Sequence, residues 1–381
     1  MDFDLSWILL GLPIAFVLGW LASRLDFRQL RLDNRLAPKA YFKGLNYLLN
    51  EQQDKAIDAF IEAVQKDPDT SELHFALGNL FRRRGETERA VRVHEHLLSR
   101  GDLSAADRDR SQHALAMDFL RAGLLDRAED ALRKLEGTAF EAQSRLALLA
   151  IYERSRDWAD ASEIASKLES AGQGSFSSRQ SHYLCEQAGT QPPEAAQALL
   201  EKAIATAPQA PRPRIALAIL QQQSDRPHEA FKTLEALADT APSAMPLIAD
   251  RIAVVATEAG LTTEALALLE SSYAQTASLD VLEAIITLQL RTTDKPVDVR
   301  MRYVQHLERE QSLVAAARWI AGEKLEHEEF HPQVQRALDH AANPLKRYRC
   351  AACGFEAKQH FWQCPGCQAW DSYPARRVEE L

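Results

Sequence analysis

The pattern of apolar and polar positions divides the chain into three parts. Residues 5–22 carry no charged side chain, and a long stretch follows in which apolar positions recur at helical spacing. Alanine is abundant in that stretch, and glycine is scarce, with 15 residues in the whole chain. Residues 348–373 differ again, because they combine aromatic side chains with paired cysteines. The pattern predicts an all-α protein with a distinct segment at each end.

The first segment, "LSWILLGLPIAFVLGWLA", has the composition of a membrane span. At about 1.5 Å per residue, its eighteen positions reach about 27 Å, enough to cross a bilayer with little tilt. Trp7 and Trp20 lie near its two ends, where amphipathic rings favour the membrane interface. We therefore expect residues 1–23 to form a transmembrane helix.

The charges flanking this segment predict its orientation. Asp2 and Asp4 precede it, whereas the residues after it are basic, so the positive-inside rule places the N-terminus in the periplasm and the main body in the cytoplasm. A cleaved signal peptide would need a basic start, and a buried soluble helix is the other alternative. Four arginines then share one helical face, which is either solvated or in contact with anionic lipid. They are Arg24, Arg28, Arg31 and Arg35.

The middle of the chain repeats itself at intervals near 34 residues. Gly44, Tyr47 and Phe60 fit the frame of the tetratricopeptide repeat, and Gly78 and Phe81 repeat part of it 34 residues later. A small residue recurs at intervals of 34, 38, 33, 35, 34 and 35, at Ala56, Ala90, Ala128, Ala161, Ala196, Ala230 and Ala265. Such repeats are helix pairs that stack into a superhelix. Seven are readable, and further helical pattern follows them.

A superhelix of this kind offers a groove for a protein segment. No nucleophile–base set, phosphate-binding loop or metalloprotease motif is present in the repeats, so we expect a binding protein and not an enzyme. Six arginines fall on first-helix positions predicted to face the groove, and they would suit an acidic or C-terminal carboxylate segment. The alternative is that they are solvated or paired with nearby glutamates. They are Arg82, Arg83, Arg110, Arg121, Arg154 and Arg212.

Charge and cysteine usage narrow the function further. The net charge of −9 argues against a general nucleic-acid binder. Four of the five cysteines form two Cys-x-x-Cys pairs, separated by ten residues that we expect to make one short hairpin. Four thiolates at this spacing predict one tetrahedral metal site, and iron and zinc both accept it. The ligands are Cys350, Cys353, Cys364 and Cys367.

Taken together, these features resemble the lipopolysaccharide assembly protein B family of Gram-negative bacteria. The resemblance lies chiefly in the N-terminal segment with the "YFKGLNYLLNEQQDKAIDAF" that follows, and in "YRCAACGF…FWQCPGCQAW". The sequence patterns themselves predict five parts: a transmembrane anchor at 1–23, a basic juxtamembrane segment at 24–36, tetratricopeptide repeats at 37–273, degenerate or capping repeats at 274–343, and a rubredoxin-like domain at 344–381. The pairs lie closer together than in true rubredoxins, and Gln368 replaces a usual glycine.

The resemblance also implies a function at the bacterial inner membrane. It predicts an adaptor that regulates lipopolysaccharide synthesis by promoting degradation of the LpxC deacetylase by the membrane protease FtsH, and that gathers other lipopolysaccharide biosynthesis proteins. We also expect contact with inner-membrane lipid. Two alternatives stay open, namely a rubredoxin-like electron-transfer protein and a membrane-tethered scaffold with no role in proteolysis.

Overall fold

The computed structural model describes residues 15–20, 41–67, 69–292, 298–323 and 328–381. Residues 15–20 are helical, but the rest of the predicted span and all four juxtamembrane arginines lie outside the described residues. Within the described ranges, no helix is both long enough and apolar enough to span a bilayer.

Helices dominate the described chain, as the apolar pattern predicts. Helix α1 is described from residue 41 to 49. It is followed by α2 (Gln53–Lys66), α3 (Ser71–Arg84), α4 (Thr87–Ser99), α5 (Ala105–Ala122), α6 (Leu125–Arg133), α7 (Glu141–Ser155), α8 (Trp158–Ser170), α9 (Ser177–Ala188), α10 (Pro193–Thr206), α11 (Pro211–Gln223), α12 (Pro227–Thr240), α13 (Met245–Ala259), α14 (Thr262–Gln275), α15 (Leu279–Thr292), α16 (Val299–Leu307), α17 (Leu313–Ala321) and α18 (His331–Ala342).

The recurring alanine marks the same place in every repeat. It is the fourth residue of each second helix from α2 to α14, and it is buried in all seven. A small side chain there lets the two helices of a pair approach closely, so the pair can bury apolar residues on both sides. The 38-residue interval arises because α5 has 18 residues where α3 has 14. The predicted tetratricopeptide-like, all-α architecture is confirmed.

The chain divides into two compact units, Met1–Ser155 and Arg156–Leu381. In the first unit, glycines of the first helices face large side chains of the second helices. A Cβ on Gly44 would lie 3.0 Å from the Phe60 ring, and one on Gly78 would lie 2.5 Å from the His94 ring. These contacts explain why the repeat frame requires glycine at both positions.

His94 makes the core of the first unit unusual. It lies 34 residues after Phe60, in the frame position that later repeats fill with apolar side chains. His94 and Asp118 are both fully buried, and His94 Nδ1 lies 2.5 Å from Asp118 Oδ2. Arg82 Nη1 donates to Asp118 Oδ1 at 3.1 Å. Three helices, α3, α4 and α5, are therefore joined by a largely buried polar network that is centred on a frame position where later repeats have an apolar side chain.

The second unit has a larger apolar core, centred on α13. Ile248, Ile252 and Val255 are completely buried between α12, α14 and α15. After α18, the chain forms a two-stranded antiparallel sheet from β1 (Tyr348–Arg349) and β2 (Glu356–Ala357), and it ends in a 3₁₀ turn, Val378–Glu380. Leu247 of α13 packs against both this apolar core and the cluster that contains Cys350 and Cys364, so the two are in contact.

Candidate metal centre

The four paired cysteines come together in space, as their spacing predicts. Their sulfur atoms all lie within 4.8 Å of one another. Cys350 Sγ is 3.8 Å from Cys367 Sγ, and Cys353 Sγ is 3.7 Å from Cys364 Sγ. A tetrahedron with metal–sulfur bonds of about 2.3 Å has sulfur–sulfur edges of about 3.8 Å. The donor set therefore fits one tetrahedrally bound ion, and the prediction of a single four-cysteine metal site is confirmed.

The backbone builds the two halves of this site in the same way. Cys350 N–H donates to Phe355 O, and Cys364 N–H donates to Ala369 O, each at 2.9 Å. Each Cys-x-x-Cys turn is the tip of its own hairpin: β1 pairs with β2 around the first, and Gln363 bridges Trp370 around the second. The expectation of one hairpin between the pairs is therefore wrong. The ten residues between the pairs, 354–363, instead form the end of the first hairpin and the start of the second.

The two turns differ at the residue after the second cysteine. Gly354 has φ +77°, and Gln368, its counterpart after Cys367, has φ +62°. Glycine adopts this left-handed conformation readily, whereas a residue with a Cβ is strained by about 1–2 kcal/mol. The departure from the rubredoxin pattern at Gln368 thus leaves the turn in place and strains it.

Two thiols of the site, those of Cys350 and Cys353, have strongly shifted pKa values. A hydrogen bond with the Ser372 hydroxyl is the largest influence on Cys350 and helps to lower its thiol pKa to about 6. The Phe355 backbone lowers the pKa of the Cys353 thiol, but burial and the three neighbouring thiols outweigh it and raise the pKa to about 12. Four crowded sulfurs resist becoming anions together. A bound cation would remove that resistance, since metal binding displaces the thiol protons.

Trp370, two residues before Ser372, fixes the metal module, residues 348–373, to the helices of the second unit. Its ring stacks on His182 of α9 with centroids 4.7 Å apart and planes 17° apart. The rings of Trp158 and Tyr183 meet it edge-on at 6.1 and 6.0 Å. The Arg212 guanidinium of α11 lies 5.9 Å from the Trp370 ring centroid. An indole in such surroundings combines a large apolar contact with cation–π attraction.

Asp371 adds polar contacts to the same helix. Its Oδ1 lies 2.7 Å from His182 Nε2, and Ser178 Oγ donates to Oδ2 at 2.7 Å. Burial raises the pKa of the Asp371 carboxyl. The hydrogen bond and the electrostatic attraction from His182, together with the hydrogen bond from Ser178, outweigh burial and hold that pKa below its usual value. Asp371 is therefore an ionised anchor at neutral pH.

The chain after the metal module is anchored to two further first helices. Arg377 forms a two-nitrogen ion pair with Asp280, with Nε and Nη2 2.9 and 2.8 Å from Oδ1. Glu380 Oε1 accepts from the Leu279 N–H at 2.7 Å, and Glu379 Oε1 accepts from the Val314 N–H at 3.0 Å. Leu279 and Val314 lie in the first turns of α15 and α17. Adjacent carboxylates thus cap two helix N-termini, a favourable place for negative charge.

The six predicted groove arginines do not form one uniform set. Arg82 is held by Asp118, and Arg110 pairs with Glu72 and lies 4.1 Å from the Phe75 ring centroid. Arg212 is occupied by Glu186 and by Trp370. Arg83, Arg121 and Arg154 are exposed and have no hydrogen-bond or ion-pair partner among the described residues. Binding of an acidic segment stays a prediction for all six.

Sequence reasoning missed the residues that attach the metal module to the helices. The dense aromatic residues around the cysteines point to a core, but no periodicity shows that Trp370 meets His182, a residue 188 positions earlier. The final "RRVEEL" offers one signal, because neighbouring acidic residues suit helix N-termini. The helices that they cap are known only from the fold.

Residues 348–373 match the family described as the rubredoxin metal binding domain. Over its length, the chain is 29% identical to lipopolysaccharide assembly protein B of Escherichia coli, covering 99% of this chain and 100% of that protein. The chain resembles lipopolysaccharide assembly protein B from end to end. The protein of that name from Haemophilus influenzae is 27% identical, with 96% of each chain covered. The resemblance expected from the motifs is thus confirmed.

Solved structures of repeat proteins also align with the chain. A tetratricopeptide repeat protein from Parabacteroides merdae covers 66% of this chain and 98% of its own, with 13% identity and a TM-score of 0.35. The fold class rests on the paired helices, the buried alanines and the four-cysteine module described above.

Proposed function

We propose that this protein is an inner-membrane adaptor that regulates lipopolysaccharide synthesis. In this role it promotes degradation of the LpxC deacetylase by the FtsH protease and gathers other lipopolysaccharide biosynthesis proteins at the cytoplasmic face. The observation that carries the proposal is the end-to-end similarity to lipopolysaccharide assembly protein B, which includes the four-cysteine module.

The arrangement of the second unit supports an adaptor more than an electron carrier. Trp370, Asp371 and the C-terminal tail attach the metal module to first helices of the array, so the module is built into a surface of packed repeats. In this proposal the metal is structural. It folds a unit too small to fold on apolar burial alone, and it supplies no chemistry to a substrate.

Membrane attachment is part of the proposal. The uncharged stretch at residues 5–22 and the basic residues after it support a single span with a periplasmic N-terminus. A span would hold the repeats beside a membrane protease, and Arg24, Arg28, Arg31 and Arg35 would contact anionic lipid. Fusing a reporter active only in the cytoplasm to residue 381 tests this orientation, and an inactive fusion would contradict it.

The direct test of the adaptor role is the half-life of the LpxC deacetylase in cells depleted of this protein. We expect the half-life to lengthen several-fold and to recover with the wild-type chain, but not with Cys364→Ser. Cys185→Ala is the matched control, because Cys185 is a buried thiol of α9 that is outside the metal site. An unchanged half-life on depletion would leave a tethered scaffold as the better account.

A further inference from the structure

Arg83, Arg121 and Arg154 occupy one position of the repeat frame. Each lies seven residues before the buried alanine of its repeat, at Ala90, Ala128 and Ala161. Each is also the next-to-last residue of a first helix, namely α3, α5 and α7. We call these three residues the arginine ladder. The frame places them on corresponding ends of successive helices in the first unit.

The guanidinium groups of the ladder are available to bind a ligand. All three side chains are exposed, and none has a carboxylate partner among the described residues. Other arginines nearby are not free: Arg84 pairs with Asp54 and Glu86, and Arg89 also pairs with Glu86. In a chain with 54 acidic and 45 basic residues, three unpaired guanidinium groups in one frame position form a local excess of positive charge.

Stabilisation of helix ends does not account for this pattern. Cations favour helix C-termini, so a lone arginine there needs no ligand to explain it. However, the last turns of α9, α11 and α13 in the second unit contain no basic residue at all. The same frame position there holds Gly189, Gln223 and Glu258. At this frame position the cations are therefore confined to the first unit, although the helices of both units have the same dipole. Beyond the seven alanine-marked repeats, α15 again has an exposed arginine, Arg291, as its next-to-last residue.

The spacing of the ladder indicates the shape of its ligand. Packed helices lie about 8–10 Å apart, and α3 packs directly on α5, so the step from Arg83 to Arg121 has about this length. An extended polypeptide advances about 3.3 Å per residue, so every third residue covers about 10 Å. The preceding repeat holds Leu49 in the same frame position, and that side chain is 83% exposed. An apolar residue at one end of the ligand would therefore find a contact.

We propose that the arginine ladder binds an extended protein segment with acidic side chains at every third position. The proposal rests on the adaptor role, because it names the chemistry of the segment that the adaptor would recognise. Guanidinium groups favour carboxylates, with which they form paired hydrogen bonds. The proposal does not use Arg82, Arg110 and Arg212, because carboxylates of the protein already pair with them.

The test uses the purified full-length protein in nanodiscs of neutral phosphatidylcholine. The probe is a fluorescent twelve-residue peptide with glutamate at every third position and alanine or serine elsewhere. We expect it to bind more tightly than a peptide of equal composition with contiguous glutamates. Each single Arg→Gln change in the ladder should weaken binding about twofold to fivefold, and the triple change by about tenfold or more.

A matched triple variant controls for net charge. Arg92, Arg127 and Arg133 lie in the second helices α4 and α6, with 76%, 57% and 57% of their side chains exposed. Changing all three to glutamine should alter peptide affinity less than twofold. A charge swap gives an independent check: the ladder changed to three glutamates should bind a peptide with lysine at every third position and lose the acidic one.

Several results would overturn the proposal. They are no binding of the spaced acidic peptide, equal loss in the control triple variant, and ladder-dependent binding of phosphatidylglycerol vesicles without peptide preference. The last result would make the ladder a lipid contact. Because peptide binding is measured on purified protein, a chain that binds the peptide but leaves the LpxC half-life unchanged would contradict only the proposed function.

Discussion

The two units share one repeat frame, but their first helices present different contact surfaces. In the second unit, first helices α9, α11, α15 and α17 are engaged by the metal module and the tail through Trp370, Asp371, Arg377 and the final glutamates. In the first unit, first helices α3, α5 and α7 end in exposed, unpaired arginines. A repeat specifies how helices stack, whereas the side chains that it leaves on the first helices decide what the surface contacts.

The cores of the two units also differ in composition. The second unit packs leucine and isoleucine around α13, while the first contains the buried network of Arg82, His94 and Asp118. Buried polar networks add less stability than apolar packing, but they penalise any arrangement that leaves a member unpaired. The first unit therefore depends on a few specific polar pairs in addition to its own apolar core, and the second depends on apolar area and on a metal.

The largest expected effect comes from removing a metal ligand. Cys364→Ser should reduce the bound metal from about one ion per chain to a small fraction, because structural metal sites in small modules contribute about 10–16 kcal/mol. The module should unfold, and Trp362 and Trp370 should become exposed to water. Elemental analysis and tryptophan emission measure both changes. Cys185→Ala, the buried non-ligand cysteine, should keep the metal, and a metal-loaded Cys364→Ser chain would contradict the assignment of this ligand.

Next comes the polar core of the first unit. Asp118→Ala should lower the free energy of unfolding by about 3–5 kcal/mol, because it leaves the buried His94 and the Arg82 guanidinium without their shared partner. Urea denaturation followed by circular dichroism measures the loss. Asp130→Ala, on an exposed position of α6, is the control and should stay within about 0.5 kcal/mol of the wild type. An equal effect of both changes would show that the network adds nothing specific.

A smaller effect is expected where the module meets α9. Asp371→Asn removes a charge while keeping a side chain that tolerates the φ of +51° at this turn. Because Asp371 is about half exposed, the contact between the module and α9 should lose only about 1 kcal/mol of stability. Hydrogen exchange in α9 should rise in this variant, and Asp239→Asn, on an exposed position of α12, should leave it unchanged.

The same carboxyl predicts a pH dependence. The pKa of Asp371 in the folded protein lies below its usual value. Its contribution to stability is therefore complete above about pH 4, which is the pKa of an aspartate in an unfolded chain. That contribution disappears as pH falls through the folded pKa. Exchange in α9 should therefore rise below about pH 4 in the wild type, and Asp371→Asn should lack this step. A step of equal size in both proteins would assign the titration to another group.

The smallest effect concerns the strained turn after Cys367. Gln368→Gly should stabilise the module by about 0.5 kcal/mol, because relief of left-handed strain slightly exceeds the entropy that glycine adds to the unfolded chain. Gly354→Ala, at the matching turn, should destabilise it by about 1 kcal/mol. The rate of metal release to a chelator measures both, and changes of the same sign would contradict the strain account.

Much of this molecule follows from local sequence signals. The recurring alanines identify the second helices because each repeat must bury a small residue at the same place, and the two Cys-x-x-Cys pairs identify the ligands because short turns bring their sulfurs together. The contact between Trp370 and His182 could not be predicted, since it joins distant segments through the stacking of the intervening repeats. Nor could the repeat pattern distinguish arginines that have a carboxylate partner from those that do not. Arg82 and Arg83 are neighbours in the sequence and differ only in the side of the helix from which they project.

The most direct test of the account is hydrogen exchange on the full-length protein before and after the metal is removed with a chelator. The central claim is that the metal holds the module against first helices of the second unit. Loss of metal should therefore speed exchange in residues 348–381, in α9 and at the N-termini of α15 and α17, and leave α3 and α5 unchanged. If exchange rose only within residues 348–373, the module would fold and unfold independently of the helices, and the account would be wrong.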